Sequence, residues 1–507
     1  MITLLNVLIS IFLVIILYFL SRKFSTNPIP IGLRPLQGPS GWPLVGNLFS
    51  IKEPLWSIFY KHAKTYGEIF KFKLGNRELV IINSSKILFK TLKDQGVNFS
   101  GRQQNDLIKY ITHDCGIVFK EKEWWSTQRS FALKVLRDFG LGKQRSIEIV
   151  NNECSILLQE LEETSGKNIC TKSCFPSVTV NIIAKLLMNM RFEKNSSEFF
   201  EFRKIIEQTT HNRSFLVILF QIYTLPHFTI PFIARFSGLR NHIDAVHNFV
   251  INIINERKKT FSHENEGQDF IDMFLIEKHK LESENVKNHT FTDWQLIRMV
   301  VELFGAGFES TSTTLSWAMV LLARHTEIQD KVHQEIINLI GVDKIPDLNN
   351  KKFLHYTQAV MDEILRISTV APLAVPHRVF NDAEVEGFYI PKDSTIFTNL
   401  YACHRDEKVW EKPFDFYPEH FLTKLDNGEM KYTPREELVP FSTGKRQCPG
   451  ESLARLEYFV FLTSILQKFK IKFNKAIDDI TYEKITRGTD GTVRAPLDVD
   501  LIFEMRF

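Results

Sequence analysis

Residues 441–457 read FSTGKRQCPGESLARLE. Cys448 stands between Arg446 and a Pro449–Gly450 pair, just ahead of an apolar run through Leu453, Leu456, Phe459 and Val460. Proline suits the first turn of a helix, and Glu451 lies three residues on from Cys448. The spacing therefore predicts an amphipathic helix over 449–466 with Cys448 in the capping position. A sulfur there meets free amide N–H groups and the positive end of the helix dipole, with Lys445 and Arg446 adding charge. Such surroundings favour thiolate over thiol, the form that attacks carbon or binds metal. Gly444 and Gly450 let the backbone approach a flat, bulky group. The local residues leave three roles: a buried structural thiol, a nucleophile with His420 as its base, or a thiolate on a metal.

The chain around this stretch has 507 residues, 44% of them hydrophobic, enough for a large core. Its 43 phenylalanines against 12 tyrosines imply a very apolar interior and an apolar ligand site. A net charge of +4 is too small for a nucleic-acid binder. The other cysteines, Cys115, Cys154, Cys170, Cys174 and Cys403, are scattered, as in a reducing compartment where most are small buried hydrophobes. Cys170 and Cys174 have no second Cys/His pair at zinc-site spacing.

Residues 2–20, ITLLNVLISIFLVIILYFL, are long and apolar enough to span a bilayer. Arg22, Lys23 and Arg34 follow, and no cation precedes the run. The positive-inside rule then leaves the main domain in the cytosol, on a signal anchor rather than a cleaved signal. Pro28, Pro30, Pro35, Pro39 and Pro43 predict a stiff, extended hinge. The expected organisation is a transmembrane anchor over 1–21, a basic, proline-rich hinge over 22–48, and one large domain over 49–507.

Within that domain helical patterns dominate, at 55–66, 123–135, 146–163, 178–190, 291–323, 328–340 and 354–365. Strand-like pieces are short: 69–74, 79–82, 394–400 and 499–503. The expected fold is mainly α with a small β region (α+β). The helix over 291–323 is about 50 Å long at ~1.5 Å per residue, so it crosses the whole molecule. The polar stretch 262–289 reads as a surface excursion.

FSTGKRQCPG matches F-x-x-G-x-R-x-C-x-G, the cysteine loop of the cytochrome P450 superfamily, and companion motifs follow in that family's order along essentially the whole chain. The chain thus resembles a haem-thiolate monooxygenase of the microsomal family-two type. HDCGIVF and LRDFGLGK are most similar to arthropod members. The resemblance implies a P450 fold with a long central helix, haem b, and Cys448 as the axial ligand to its iron. It also implies Phe441 packed beneath the ring, Arg446 on a propionate and Gly450 against the porphyrin. LFGAGFESTSTTLSW resembles the oxygen-activation motif, with Gly307 leaving room beside the iron and Glu309, Ser310 and Thr311 as proton-relay residues. Ser310 stands where the family has threonine; it keeps the hydroxyl but loses the methyl that fixes its rotamer. Trp125 and Arg129 match W-x-x-x-R, and His377 in PLAVPHRVF matches a propionate-binding histidine, with Arg378 a secondary candidate. Glu363 and Arg366 match E-x-x-R, and PEHF at 418–421 matches P-E-R-F with His420 for arginine. This last group is expected to be a structural cluster.

Lys134, Arg137, Lys143, Arg145, Lys445 and Arg455 are candidates for a basic face that docks an acidic NADPH–cytochrome P450 reductase, with cytochrome b5 as a second donor. No G-x-G-x-x-G opens a βαβ unit here, so electrons from NADPH come through that partner. The resemblance places an endoplasmic-reticulum membrane enzyme whose substrate-facing segments are 100–119, 205–239, 301–310, 370–375 and 487–493. Ile117, Phe119, Phe215, Phe304, Phe308, Leu373 and Val493 within them suit a small apolar substrate, either a hormone-like terpenoid or steroid or a xenobiotic. The competing classes are a haem-thiolate isomerase or dehydratase that needs no reductase, and a non-catalytic membrane haem or lipid binder.

Overall fold

The computed structural model describes residues 29–193, 196 and 239–507, apart from 44, 76, 105, 140–143 and 263–265. The expected anchor, the start of the hinge, Lys143 and the substrate-facing stretch 205–238 with Phe215 lie outside the described residues. Among the described residues no helix is long and apolar enough to cross a membrane.

The principal helices are α1 (Leu55–Tyr66), α2 (Lys122–Phe139), α3 (Gln144–Glu163), α4 (Pro176–Met188), α5 (Leu239–Thr260) and α6 (Phe270–Ser283). They continue with α7 (Asp293–Arg324), α8 (Thr326–Ile340), α9 (His355–Ser368), α10 (Glu451–Lys468) and α11 (Asp479–Arg487). The Thr292 hydroxyl caps α7 by accepting from the Gln295 amide at 3.1 Å. From Thr311 to Ala323 every residue of α7 is buried, so the helix runs through the core rather than over it. It packs against α4, α5, α9 and α10. A large apolar cluster including Trp317, Phe304, Phe459 and Phe461 fills the space between these helices.

The strands are β1 (Ile69–Leu74), β2 (Arg77–Ile82), β3 (Asn168–Cys170), β4 (His377–Arg378), β5 (Ala383–Val385), β6 (Phe388–Ile390), β7 (Thr395–Thr398), β8 (Leu422–Lys424), β9 (Met430–Tyr432), β10 (Phe469–Phe473) and β11 (Asp500–Met505). They form a four-stranded sheet in the order β1-β2-β7-β4, a three-stranded sheet β10-β11-β3, and the pairs β5-β6 and β8-β9. Among these strands β2 and β7 pair in parallel, with Val80 opposite Ile396, and the others pair antiparallel. Side chains of this sheet and of α1 make separate, smaller clusters around Phe59 and Ile396. The small β region is thus at the edge, and the helices carry the core.

Three expectations change. The stretch 262–289 is not only a surface excursion, because α6 within it buries Phe270, Ile271, Asp272, Phe274 and Leu275. Asp269 caps that helix by accepting from Asp272 N at 2.9 Å, and Arg257 holds both carboxylates at 2.6 and 2.8 Å. The described part of the proline-rich stretch is not free of the domain. Arg34 exchanges backbone hydrogen bonds with Gly387 and Tyr389 at 2.9 and 3.0 Å, and Lys71 N donates to Gln37 O at 2.8 Å. A Cβ at Gly38 would lie 1.9 Å from the Lys71 carbonyl, so glycine is what allows this close docking. Finally, α10 is not amphipathic: each residue from Leu456 to Gln467 is buried, because α3, α7 and α8 enclose it.

Candidate active site

The cysteine loop is closed by Cys448 N donating to Phe441 O at 3.0 Å and Gln447 N to Gly444 O at 3.1 Å. Gly444 has φ 77°, and a Cβ there would sit 1.8 Å from Leu92 O. Glycine is therefore required for the loop to lie against the 89–94 segment. The following helix begins two residues later than expected, at Glu451 with Gly450 as its N-cap. Glu451 does not reach back to Cys448; its carboxylate takes Gln447 Nε2 at 2.7 Å and Arg455 Nε at 2.8 Å.

Cys448 is accessible to solvent, yet protein crowds it closely enough that burial is the largest influence on its thiol. Both hold for a residue on the wall of an internal cleft. Burial pushes the thiol up, and the Gly450 and Glu451 amides and the Arg129 guanidinium offset only part of this. A metal bonded to the sulfur would favour the thiolate. A nucleophile is also poorly served, since both ring nitrogens of His420 are engaged: Nε2 accepts from Lys412 N at 3.2 Å, and Nδ1 donates to Glu363 Oε2 at 3.2 Å.

Beside the loop, buried cations converge. The Arg446 guanidinium lies 3.8 Å from the Trp125 ring centroid and donates to the carbonyls of Ser100, Ile117 and Lys120 at 2.9, 3.1 and 2.6 Å. Arg129, one turn along α2 from Trp125, lies 5.9 Å from the same ring and donates to Gln447 O. Arg102, which the sequence reading missed, donates to Val118, Val375 and Pro376 carbonyls at 3.1, 3.0 and 2.9 Å. His377 Nδ1 donates to Phe99 O at 2.7 Å. Burial and then the neighbouring guanidinium hold Arg102 down to about 9 and Arg446 down to about 8. Burial, Arg102 and Arg446 hold His377 well below the usual histidine range. Of the nearby carboxylates, Glu121 is bound by Arg378 at 2.6 Å and Glu302 by Arg298 at 2.9 Å. Crowded, desolvated guanidiniums of this kind fit a group carrying two carboxylates, such as the propionates of haem. Arg378 itself is committed to Glu121 and Asp393.

On α7, Ala306 is exposed in mid-helix while Phe304 and Phe308 on either side are buried. A Cβ at Gly305 would meet nothing within 4 Å, whereas one at Gly307 would meet Ile183 at 3.1 Å. Open space therefore lies beside Gly305 and Ala306, and Gly307 serves the packing of α7 on α4. Ser310, half-buried, donates Oγ to Ala306 O at 2.8 Å. Glu309 and Thr311 are buried. Ile117 and Val118 donate their amides to Glu302 Oε2 at 2.7 and 3.0 Å, which pins the 116–120 loop between α7 and the two arginines.

The sequence profile of the cytochrome P450 family matches residues 36–494. The chain belongs to the cytochrome P450 family. It is 34% identical over 469 residues to cytochrome P450 2C4 of Oryctolagus cuniculus, covering 92% of this chain and 93% of that one. It is 32% identical to cytochrome P450 2D3 of Rattus norvegicus over 85% and 86% of the two chains. It is 33% identical to cytochrome P450 2H1 of Gallus gallus over 92% and 93%. The chain is accordingly an oxidoreductase of the monooxygenase class.

This cytochrome P450 keeps a buried ion cluster away from the cleft. Arg366 grips Glu363 at 2.7 and 2.8 Å and donates to the carbonyls of His404, Pro413 and Asp415. Tyr417 N and His420 Nδ1 complete the hydrogen bonds to Glu363. Because His420 Nε2 accepts a hydrogen bond, the ring is the neutral Nδ1–H tautomer and replaces an ionic contact with a plain donor. The cluster is structural: nearly every lone pair and N–H in it is used.

The expected basic face of the P450 is smaller than its motif residues imply. Lys134 and Arg137 are exposed one turn apart on α2, and Lys445 is exposed in the cysteine loop. Arg145 donates to Gln268 O at 2.6 Å. Arg455 is paired with Glu451 at 2.8 Å and Asp362 at 3.3 Å, and its guanidinium lies 4.9 Å from the Phe441 ring centroid.

Proposed function

We propose that this cytochrome P450 inserts one oxygen atom of dioxygen into an apolar, lipid-like substrate, by hydroxylation or epoxidation. Electrons come from NADPH through a separate reductase, with cytochrome b5 as a second donor. The reading rests above all on one observation: a cysteine that is solvent-accessible yet crowded by protein stands beside three buried cationic or imidazole groups, Arg446, Arg102 and His377, and the half-buried Arg129. Haem b bound there supplies the metal chemistry that activates dioxygen. Cys448 is the residue for its iron, and Arg446, Arg102, Arg129, Trp125 and His377 are those for its propionates. Phe441 and Gly450 shape the proximal side. On α7, Glu309 holds a proton, Ser310 Oγ passes it toward the cleft, and Thr311 supports the pair. Ile117, Phe304, Phe308, Leu373 and Val493 supply an apolar lining that favours a hormone-like terpenoid or steroid, or a xenobiotic.

Exposed Ile29, Ile31, Trp42 and Phe49 cluster in sequence next to the apolar 2–20 run. They support a domain resting against the endoplasmic-reticulum membrane on its cytosolic side. The acid and hydroxyl on α7 favour dioxygen reduction over hydroperoxide rearrangement, which needs no proton delivery. The test is turnover of the full chain with reductase and NADPH: product formation requires both, and turnover of a hydroperoxide without reductase would contradict the reading. Ser310→Ala should raise peroxide released per electron consumed several-fold, and unchanged coupling would remove Ser310 from proton transfer.

A further inference from the structure

Glu302 does more on α7 than pair with Arg298. Its two carboxylate oxygens are divided: Oε1 takes Arg298 Nη2 at 2.9 Å, and Oε2 accepts both the Ile117 and the Val118 amide, at 2.7 and 3.0 Å. Seven residues earlier on the same side of the helix, Gln295 grips the same turn. Its Oε1 accepts from Gly116 N at 2.9 Å and from Trp124 Nε1 at 3.0 Å. Gly116 has φ 97°, and a Cβ there would collide with the Glu302 carboxylate. The turn at 116–118 is thus moulded on one buried acid.

The other edge of this turn faces the cations. The peptide group joining Ile117 to Val118 gives its N–H to Glu302, and its C=O accepts from Arg446 Nη1 at 3.1 Å. The next carbonyl, Val118 O, accepts from Arg102 Nε at 3.1 Å. A peptide dipole with a carboxylate at its N–H end and a guanidinium at its C=O end is favourable at both ends. In buried surroundings such hydrogen bonds also polarise one another. Glu302 is 9% exposed and Arg446 8%, so water and salt screen this link weakly. Burial, Arg102 and Arg129 work against the charge on Arg446, whereas Glu121 and Glu302 support it. Of those two acids, Glu121 is held by Arg378 through both oxygens, at 3.1 and 2.6 Å.

We propose that Glu302 is a positioning residue for the propionate cations. Its charge, passed to Arg446 through the Ile117–Val118 peptide group, helps set the reduction potential of the haem that they hold. The inference rests on the haem-binding reading of the site. Reduction adds one electron, supplied by the reductase, and makes or breaks no bond in the turn. A negative charge behind the propionate cations cancels part of their field, so it favours the oxidised, more positive haem. Arg298, on the other carboxylate oxygen, weakens the same charge and therefore acts in the opposite sense.

The test uses the full, haem-loaded chain with its Glu302→Gln and Arg298→Gln variants. A glutamine oxygen can still accept the Ile117 and Val118 amides, so the first change removes charge and keeps those hydrogen bonds. At a fixed applied potential, the ratio of reduced to oxidised haem should rise at least about threefold in Glu302→Gln, the scale of one partly screened charge. It should fall by a similar factor in Arg298→Gln, and haem retained by Glu302→Gln after dialysis should match the wild type. A role confined to folding the turn would not give opposite signs. An unchanged ratio in Glu302→Gln would overturn the proposal, with or without loss of haem, as would shifts of the same sign in both variants. Should Glu302→Gln not fold, Arg298→Gln decides alone, an unchanged or raised ratio counting against the role. A wild type without the red-shifted carbon-monoxide band would contradict the haem-thiolate reading and remove this role with it. A normal band with an unchanged ratio would overturn the role alone.

Discussion

Arg102 shows how a residue acquires its role from its surroundings. Its three carbonyl partners come from the 116–120 loop and from 375–376, and its charge adds to those of Arg446 and Arg129 in a space short of anions. Its local sequence, Ser100-Gly101-Arg102, carries one usable signal. A Cβ at Gly101 would lie 2.5 Å from Arg378 O, so the glycine marks a tight crossing next to the cation. Replacing Arg102 by Leu should lower haem retention by about 10- to 100-fold, the size of one or two charge-assisted hydrogen bonds. Haem bound per protein after dialysis measures this, and full retention would remove Arg102 from the propionate site. The pairing of Trp125 with Arg129 and of Glu363 with Arg366 was readable in advance because each relation spans one helical turn. Arg102, Gly305 and the true role of Gly307 were not, since each depends on a distant element: the 116–120 loop, the open cleft, and Ile183 on α4.

At the scale of elements, α10 illustrates what period alone misses. Its first turn reads as amphipathic, but the helix lies among α3, α7 and α8 and is buried all round, Glu457 included. Burial holds the Glu457 carboxyl well above the usual range, and its Oε2 has no hydrogen-bond partner. The folded protein keeps this proton while the unfolded chain releases it above about pH 4.5. The corresponding stability is therefore present at low pH and lost as pH rises toward the folded value. Buried His404, held neutral by burial and by Arg405, works in the opposite direction and costs stability only below about pH 6.5. Above about pH 6.5 the Glu457 contribution stands alone of the two, and stability falls with rising pH until the folded carboxyl ionises. Glu457→Gln should flatten the decline in unfolding midpoint over that range. An identical decline in the variant would show that Glu457 is ionised in the folded protein.

Across the whole molecule, one long helix organises the core. Helix α7 is enclosed by α4, α5, α9 and α10, and Ala306 is exposed at its middle. The mainly helical architecture and the length of α7 followed from the sequence, because long periodic runs specify helices well. The docking of Arg34 on the β5–β6 pair and of Gln37 and Asn47 on β1, and the buried face of α6, did not, because a proline-rich stretch and a charged one reveal their partners only in the assembled fold. The proposed role of Cys448 as iron ligand is tested most directly by the reduced, carbon-monoxide-bound absorption spectrum of the purified protein. The wild type and Cys170→Ala should both show the red-shifted Soret band of thiolate ligation, and Cys448→Ala should lose it. A wild-type band at the position of a neutral or nitrogen ligand, or its survival in Cys448→Ala, would contradict the assignment.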